Sequence, residues 1–117
     1  MKVKRGEIVL VDYPYSDGTG SKVRPALVVQ SDNLNLRITD TILAAISRSQ
    51  HRASATQILV EIGTPEGIQS GLRQDSMVQC ENLLTIDQAQ IIATIGRLAS
   101  SSMQHIDNGL KATFDLT

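Results

Sequence analysis

Residues 21–33 read SKVRPALVVQSDN, and the fold turns on how this stretch is parsed. Proline cannot donate to a strand ladder, but it is tolerated as the first residue of a strand. It also drives the residue before it into extended backbone. Arg24 is therefore held extended where a loop meets an apolar run. From Pro25 onward, PALVVQS (25–31) reads as a strand buried on both faces, as does EIVLVDY (7–13) upstream. PYSDGTGSK (14–22), between them, is turn-rich and carries two glycines. Arg24 thus stands at the mouth of a strand pair, either solvating a strand end or serving a substrate.

Working outward, SDNLNLRITD (31–40) is polar and reads as a connection to a third strand, TILAAIS (41–47). QILVEI (57–62) alternates, with Ile58, Val60 and Ile62 sharing one face. GTPEGIQSG (63–71) reads as a loop and DSMVQCENL (75–83) as a further strand. From Asp87 the period changes: Ile91, Ile92 and Ile95 recur at helical spacing until Gly96, which predicts a helix. SSSMQHIDNGLKATFDL (100–116) places Met103, Ile106, Leu110 and Phe114 on one stripe, with serines available to cap its start. The strands lack the long intervening helices that a parallel sheet requires. The expectation is a mainly β, α+β fold: an antiparallel sheet or small barrel with helices appended.

The length, 117 residues, predicts one domain spanning residues 1–117. A domain of this size hides roughly two-thirds of its unfolded surface, enough for a core without staples. With Tyr13, Tyr15 and Phe114 the only aromatics, that core must be aliphatic. Cys80 is the only cysteine, so no internal disulfide forms and a reducing compartment fits. The opening MKVKR is followed by an apolar run that stops at Asp12, too short for a secretory signal. No segment approaches the length of a membrane helix. The expectation is a cytoplasmic protein. The net charge of −1 gives no global pull toward nucleic acid. Residues 1–55, however, hold eight lysines and arginines against five acids, and the remainder three against seven. Such asymmetry is compatible with a basic face on the first half.

Motifs exclude more than they select. His51 and His105 stand apart and no His/Cys/Asp cluster has ligand spacing, so neither a metal nor any other cofactor is expected. DGTGSK lacks the spacing of a phosphate loop, and GxSxG is absent. Cys80, beside Val78 and Met77, reads as packing, and His105 as a surface residue. A polar set at strand ends remains: Arg24, Ser47, Arg48, His51, Gln79 and Glu81. Each has an ordinary structural reading on its own.

Taken in order, the blocks RGEIVLVD, RPALVVQSD, TILAAIS, GLRQDSMVQCENLLTID and IGRL resemble the MazF/PemK toxin family over most of the chain. That resemblance implies a small SH3-like antiparallel β-barrel with a C-terminal helix, acting as a homodimer. It also implies a metal-independent, sequence-selective endoribonuclease on single-stranded RNA, restrained by a cognate antitoxin. By the same resemblance Arg24 falls on the family's catalytic arginine and Ser47 on its catalytic threonine or serine. Some members use an arginine and an acid in the strand matching VQCEN, where this chain has Gln79 and Glu81. The chain also lacks a glutamate that some members carry before the Arg-Pro pair. Two alternatives stay open: a gyrase-binding toxin of the CcdB-like kind, which shares the fold, and an inactive interaction module.

Metal-free RNA cleavage needs a base for the 2′-OH, an acid for the leaving oxygen, and cationic donors for the phosphorane-like charge. Arginine suits the third task because its fork matches phosphate oxygens. Glu81 and His51 have usable pKa values for the first. Lys22, Arg48 and Arg52 are candidates for further phosphates, and Tyr13 or Tyr15 for stacking a base. The 14–23 loop is expected to act as a lid.

Overall fold

The computed structural model describes residues 2–15, 17–48 and 53–117. Its strands are β1 (Glu7–Pro14), β2 (Ser21–Val28), β3 (Asp40–Ser47), β4 (Gln57–Val60), β5 (Ser76–Asp87) and β6 (Ala93–Arg97). All their pairings are antiparallel, and the spatial order is β4-β5-β3-β2-β1-β6. The sheet curls into a half-barrel with a C-terminal helix, α3 (Ser100–Phe114), packed on β4 and β5. The mainly β expectation is met, and three departures from it are instructive.

The strands are apolar on both faces because each face has its own core. On the α3 side, Ile8, Leu27, Ala44, Ile46, Val78 and Cys80 gather around Ile106. On the other side, Val9, Val11, Ala26, Val28 and Leu43 close over Val3 and Ile91. The two sets alternate along β1, β2 and β3, as the pleat requires. The stripe on α3 weakens along its length: Ile106 is buried, Met103 and Leu110 half-buried, and Phe114 exposed. Gly109 lies against Cys80, where a Cβ would come within 2.7 Å of the sulfur. Burial, reinforced by the neighbouring Glu81 charge, pushes the Cys80 thiol up to about 11, so it stays neutral and inert as packing. Arg5 bridges α3 and the residue after β2, donating to Asp107 (2.6 Å) and to the Val29 carbonyl (2.8 Å).

The first departure is residues 87–96, which do not form a helix. Asp87 caps a single 3₁₀ turn, Gln88–Gln90, and the chain then becomes β6. Ile92 N–H already donates to the Leu10 carbonyl (2.8 Å), opening the pairing with β1. β-branched isoleucine and threonine favour a strand, and the unpaired edge of β1 supplies the partner. The second is α1 (Asp32–Arg37), in what reads as a connection. Its buried residue is Asn35, whereas Leu34 and Leu36 are exposed, so the hydrophobic pattern points the wrong way. The third is α2 (Pro65–Gln69), begun by a Thr64 cap and Pro65 in the first turn. In addition, the residue capping α3 is Ala99, with no side-chain cap; all three serines lie inside the first turn.

Asn35 anchors a buried polar knot. Its side-chain Oδ1 accepts from Gln30 Nε2 (2.8 Å) and Thr41 Oγ1 (2.7 Å), and its side-chain Nδ2 donates to the Gln30 backbone carbonyl (3.1 Å). Gln88 extends the knot, donating to the Asn35 backbone carbonyl (2.9 Å) and accepting from Val3 N–H (2.9 Å). Asn35→Ala strands two buried donors, so we expect a loss of about 2–4 kcal/mol in urea unfolding. A loss under about 0.5 kcal/mol would show that water replaces the amide.

Candidate functional site

The β1–β2 ladder runs unbroken from Ile8↔Leu27 to Pro14↔Ser21. The β2–β3 ladder covers only Ala26↔Ala45, Leu27↔Ala44 and Val28↔Leu43. It stops at the residue following Pro25, which has no N–H to give a ladder. β3 continues instead along β5, with Ser47 opposite Met77. β2 and β3 therefore splay, and a cavity of about 640 Å³ opens between their ends.

Arg24 and Lys22 line it from β2, and Ser47 and Arg48 from the end of β3. Arg73 and Gln74 line the opposite wall, from the segment before β5. Leu10, Ile46 and Ile95 supply apolar surface between them. Among the described residues, the lining holds four cations and no carboxylate. In a chain of net charge −1, that is a local concentration of positive charge. Low-dielectric walls raise its effect on an anion. Arg24 pairs with Val11 and, two residues before Ala26, shares the sheet face of Ala26 and its partner Ala45.

A second polar group flanks the groove on that face. Between Ala44↔Leu83 and Ala45↔Gln79, β5 advances four residues while β3 advances one. This bulge puts Cys80, Glu81 and Asn82 outside the β3 register, and bulges commonly re-aim side chains. The Tyr13 hydroxyl donates to the Asn82 side-chain oxygen (2.9 Å), and the Asn82 amide donates to Gln79 Oε1 (3.1 Å). Burial pushes the Tyr13 phenol above its ordinary value, and the nearby Arg24 charge pulls it partly back. Glu81 is exposed and accepts from the Gln57 amide (2.7 Å).

Of the residues singled out from sequence, Arg24, Ser47, Lys22 and Arg48 come together in one groove. Tyr13 and Gln79 stand beside it, joined through Asn82. Glu81 is not among the lining residues and is held toward β4. His51 and Arg52 lie outside the described residues. The strands take in both ends of the 14–23 segment: β1 reaches Pro14 and β2 begins at Ser21, and Tyr15 N–H donates to the Gly20 carbonyl (2.8 Å) between them. Arg73, Gln74 and Asn82 escaped the sequence reading, because only the folded sheet brings them to Arg24 or Tyr13. Among the described residues, no three His, Cys, Asp or Glu gather where they could hold a metal ion.

A family model described as PemK-like, MazF-like toxin of type II toxin–antitoxin system matches residues 4–114. The chain belongs to that family. Among curated PemK/MazF relatives, the endoribonuclease MazF6 of Mycobacterium tuberculosis is 30% identical over 117 residues, covering 99% of this chain and all of that one. The endoribonuclease EndoA of Bacillus subtilis is also 30% identical, covering 99% of this chain and 97% of that one. Among solved structures, a mycobacterial endoribonuclease in complex with its cognate antitoxin superposes with a TM-score of 0.79. It does so at 18% identity, over 98% of this chain and 97% of that one, which makes it a likeness of fold.

The closeness of Arg24 to Tyr13 has a measurable consequence. Arg24→Ala removes the charge that pulls the phenol down, so the Tyr13 pKa must rise further above 10.0. NMR titration of the Tyr13 ring checks this, and an unchanged or lowered value would place the guanidinium elsewhere.

Proposed function

We propose that the chain is a metal-independent, sequence-selective endoribonuclease. It cleaves single-stranded RNA, leaving 2′,3′-cyclic phosphate and 5′-OH ends. The observation that carries this reading is the groove, where four cations and the Ser47 hydroxyl converge without an opposing acid among the described residues. The endoribonuclease names of relatives 30% identical over nearly the whole chain support it.

In the reaction the RNA 2′-oxygen attacks the adjacent phosphorus, and the bond from phosphorus to the 5′-oxygen breaks. A proton leaves the 2′-OH, and one reaches the departing 5′-oxygen. Arg24 holds the charge that grows on the non-bridging oxygens, a task for a permanently protonated fork. Ser47 adds a hydroxyl hydrogen bond to the same phosphate. Lys22 and Arg48 carry neighbouring phosphates, and Tyr13 and Gln79, linked through Asn82, offer base contacts beside the groove. Among the described residues, the groove lining holds no histidine or carboxylate to accept a proton. That role falls to Glu81, on its bulge, or to His51.

The toxin further acts as a homodimer restrained by a cognate antitoxin, in the cytoplasm, with residues 1–117 forming one domain. A solved structure of the same fold in complex with its cognate antitoxin supports the antitoxin partner. The match spanning residues 4–114 supports the last.

Purified protein with a long defined RNA in EDTA should cut at mapped sites with cyclic-phosphate ends. Arg24→Ala should slow cleavage on the order of 10²–10³-fold. Cleavage by Arg24→Ala at the wild-type rate would refute the assignment.

A further inference from the structure

The wall opposite Arg24 is built more firmly than a surface loop needs to be. Gly71 has φ +74, and a Cβ there would run into the Ile95 carbonyl of β6. Gly96 in turn backs onto Ser70, so α2 and β6 meet backbone to backbone. Leu72 N–H donates to Ser70 Oγ (3.2 Å) before the tip, and Ser76 Oγ donates to the Gln74 carbonyl (2.9 Å) after it. Asp75, the acid next in sequence to the tip, is committed to Ile62 N–H on the far side (3.0 Å). Arg73 stands at that pinned tip, lining the same cavity as Arg24 and Ser47. Among the described residues it has no hydrogen-bond or ion-pair partner.

We propose that Arg73 is a second phosphate contact, a substrate-binding residue that grips the RNA backbone across the groove from Arg24. The inference rests on the endoribonuclease reading above and adds to it the residue that fixes the strand's position. A single strand lying between two walls meets Arg24 and Ser47 on one side and Arg73 on the other. Its phosphates are spaced along the chain, so the two arginines hold different phosphates. Arg73 contacts substrate in the ground and transition states alike, because the phosphate it holds does not react. Such uniform binding appears in KM rather than in kcat. The rigid backbone beneath Arg73 lowers the ordering that binding demands of the protein.

The test uses the full chain and a single-stranded RNA carrying a mapped cleavage site, with a 2′-O-methyl version for binding. Arg73→Gln should raise KM on the order of tenfold, with the loss falling on KM rather than kcat. The plot of log affinity against log salt should become shallower by about 0.7. Arg73→Lys should restore the slope, since a phosphate reads charge. Wild-type KM and slope in Arg73→Gln would overturn the proposal, as would a loss confined to kcat. A wild-type protein that neither binds nor cuts RNA would overturn the endoribonuclease reading and this inference with it. Cleavage by wild type with an indifferent Arg73→Gln would overturn this inference alone.

Discussion

One missing N–H organises the candidate site. Pro25 cannot donate to a ladder, and the β2–β3 pairing ends at Ala26, its neighbour. Had that pairing continued, Arg24 and Ser47 would face each other across an ordinary sheet with no space between strands. Instead β2 stays with β1 and β3 stays with β5, so the two ends part. The gap is not filled by core, because the segment before β5 stands across it with Arg73 and Gln74. The Arg24 and Ser47 side of the groove is carried on the scaffold's own strands, which hold side chains more accurately than loops do.

The charge in the groove follows from what the rest of the sheet lacks. The core is aliphatic on both faces, so polar side chains collect at strand ends and on the β5 bulge. Asp75, beside Gln74 in sequence, is engaged on Ile62, and Glu81 on Gln57. The groove cations therefore face solvent without an internal counter-ion among the described lining residues. On a protein of nearly neutral net charge, such a groove concentrates positive potential in one place. The electrostatic pull is local and salt-sensitive.

The strands were legible where apolar runs were long, as in EIVLVDY, PALVVQS and TILAAIS. So was the placing of Arg24 at a junction, because proline's restriction on its neighbour is purely local. Residues 87–96 misled, since Ile91, Ile92 and Ile95 fit a helical spacing while their β-branching and the free edge of β1 select a strand. The α1 segment was opaque for the opposite reason: its buried residue is an asparagine held by polar side chains, Gln30 and Thr41 close by and Gln88 far along the chain, which an apolar periodicity does not register. Arg73 belongs to the same class. Its place opposite Arg24 depends on Gly71 and Gly96 bringing α2 against β6, a close approach that local pattern does not encode.

The central claim is that the scissile phosphate sits between Arg24 and Ser47. A structure with a single-stranded RNA blocked by 2′-O-methyl at the cleaved nucleotide tests it most directly. A phosphate is expected within about 2.7–2.9 Å of the Arg24 guanidinium, with Ser47 Oγ bonded to the same group. An RNA bound on another face, with Arg24 left to solvent, would contradict it.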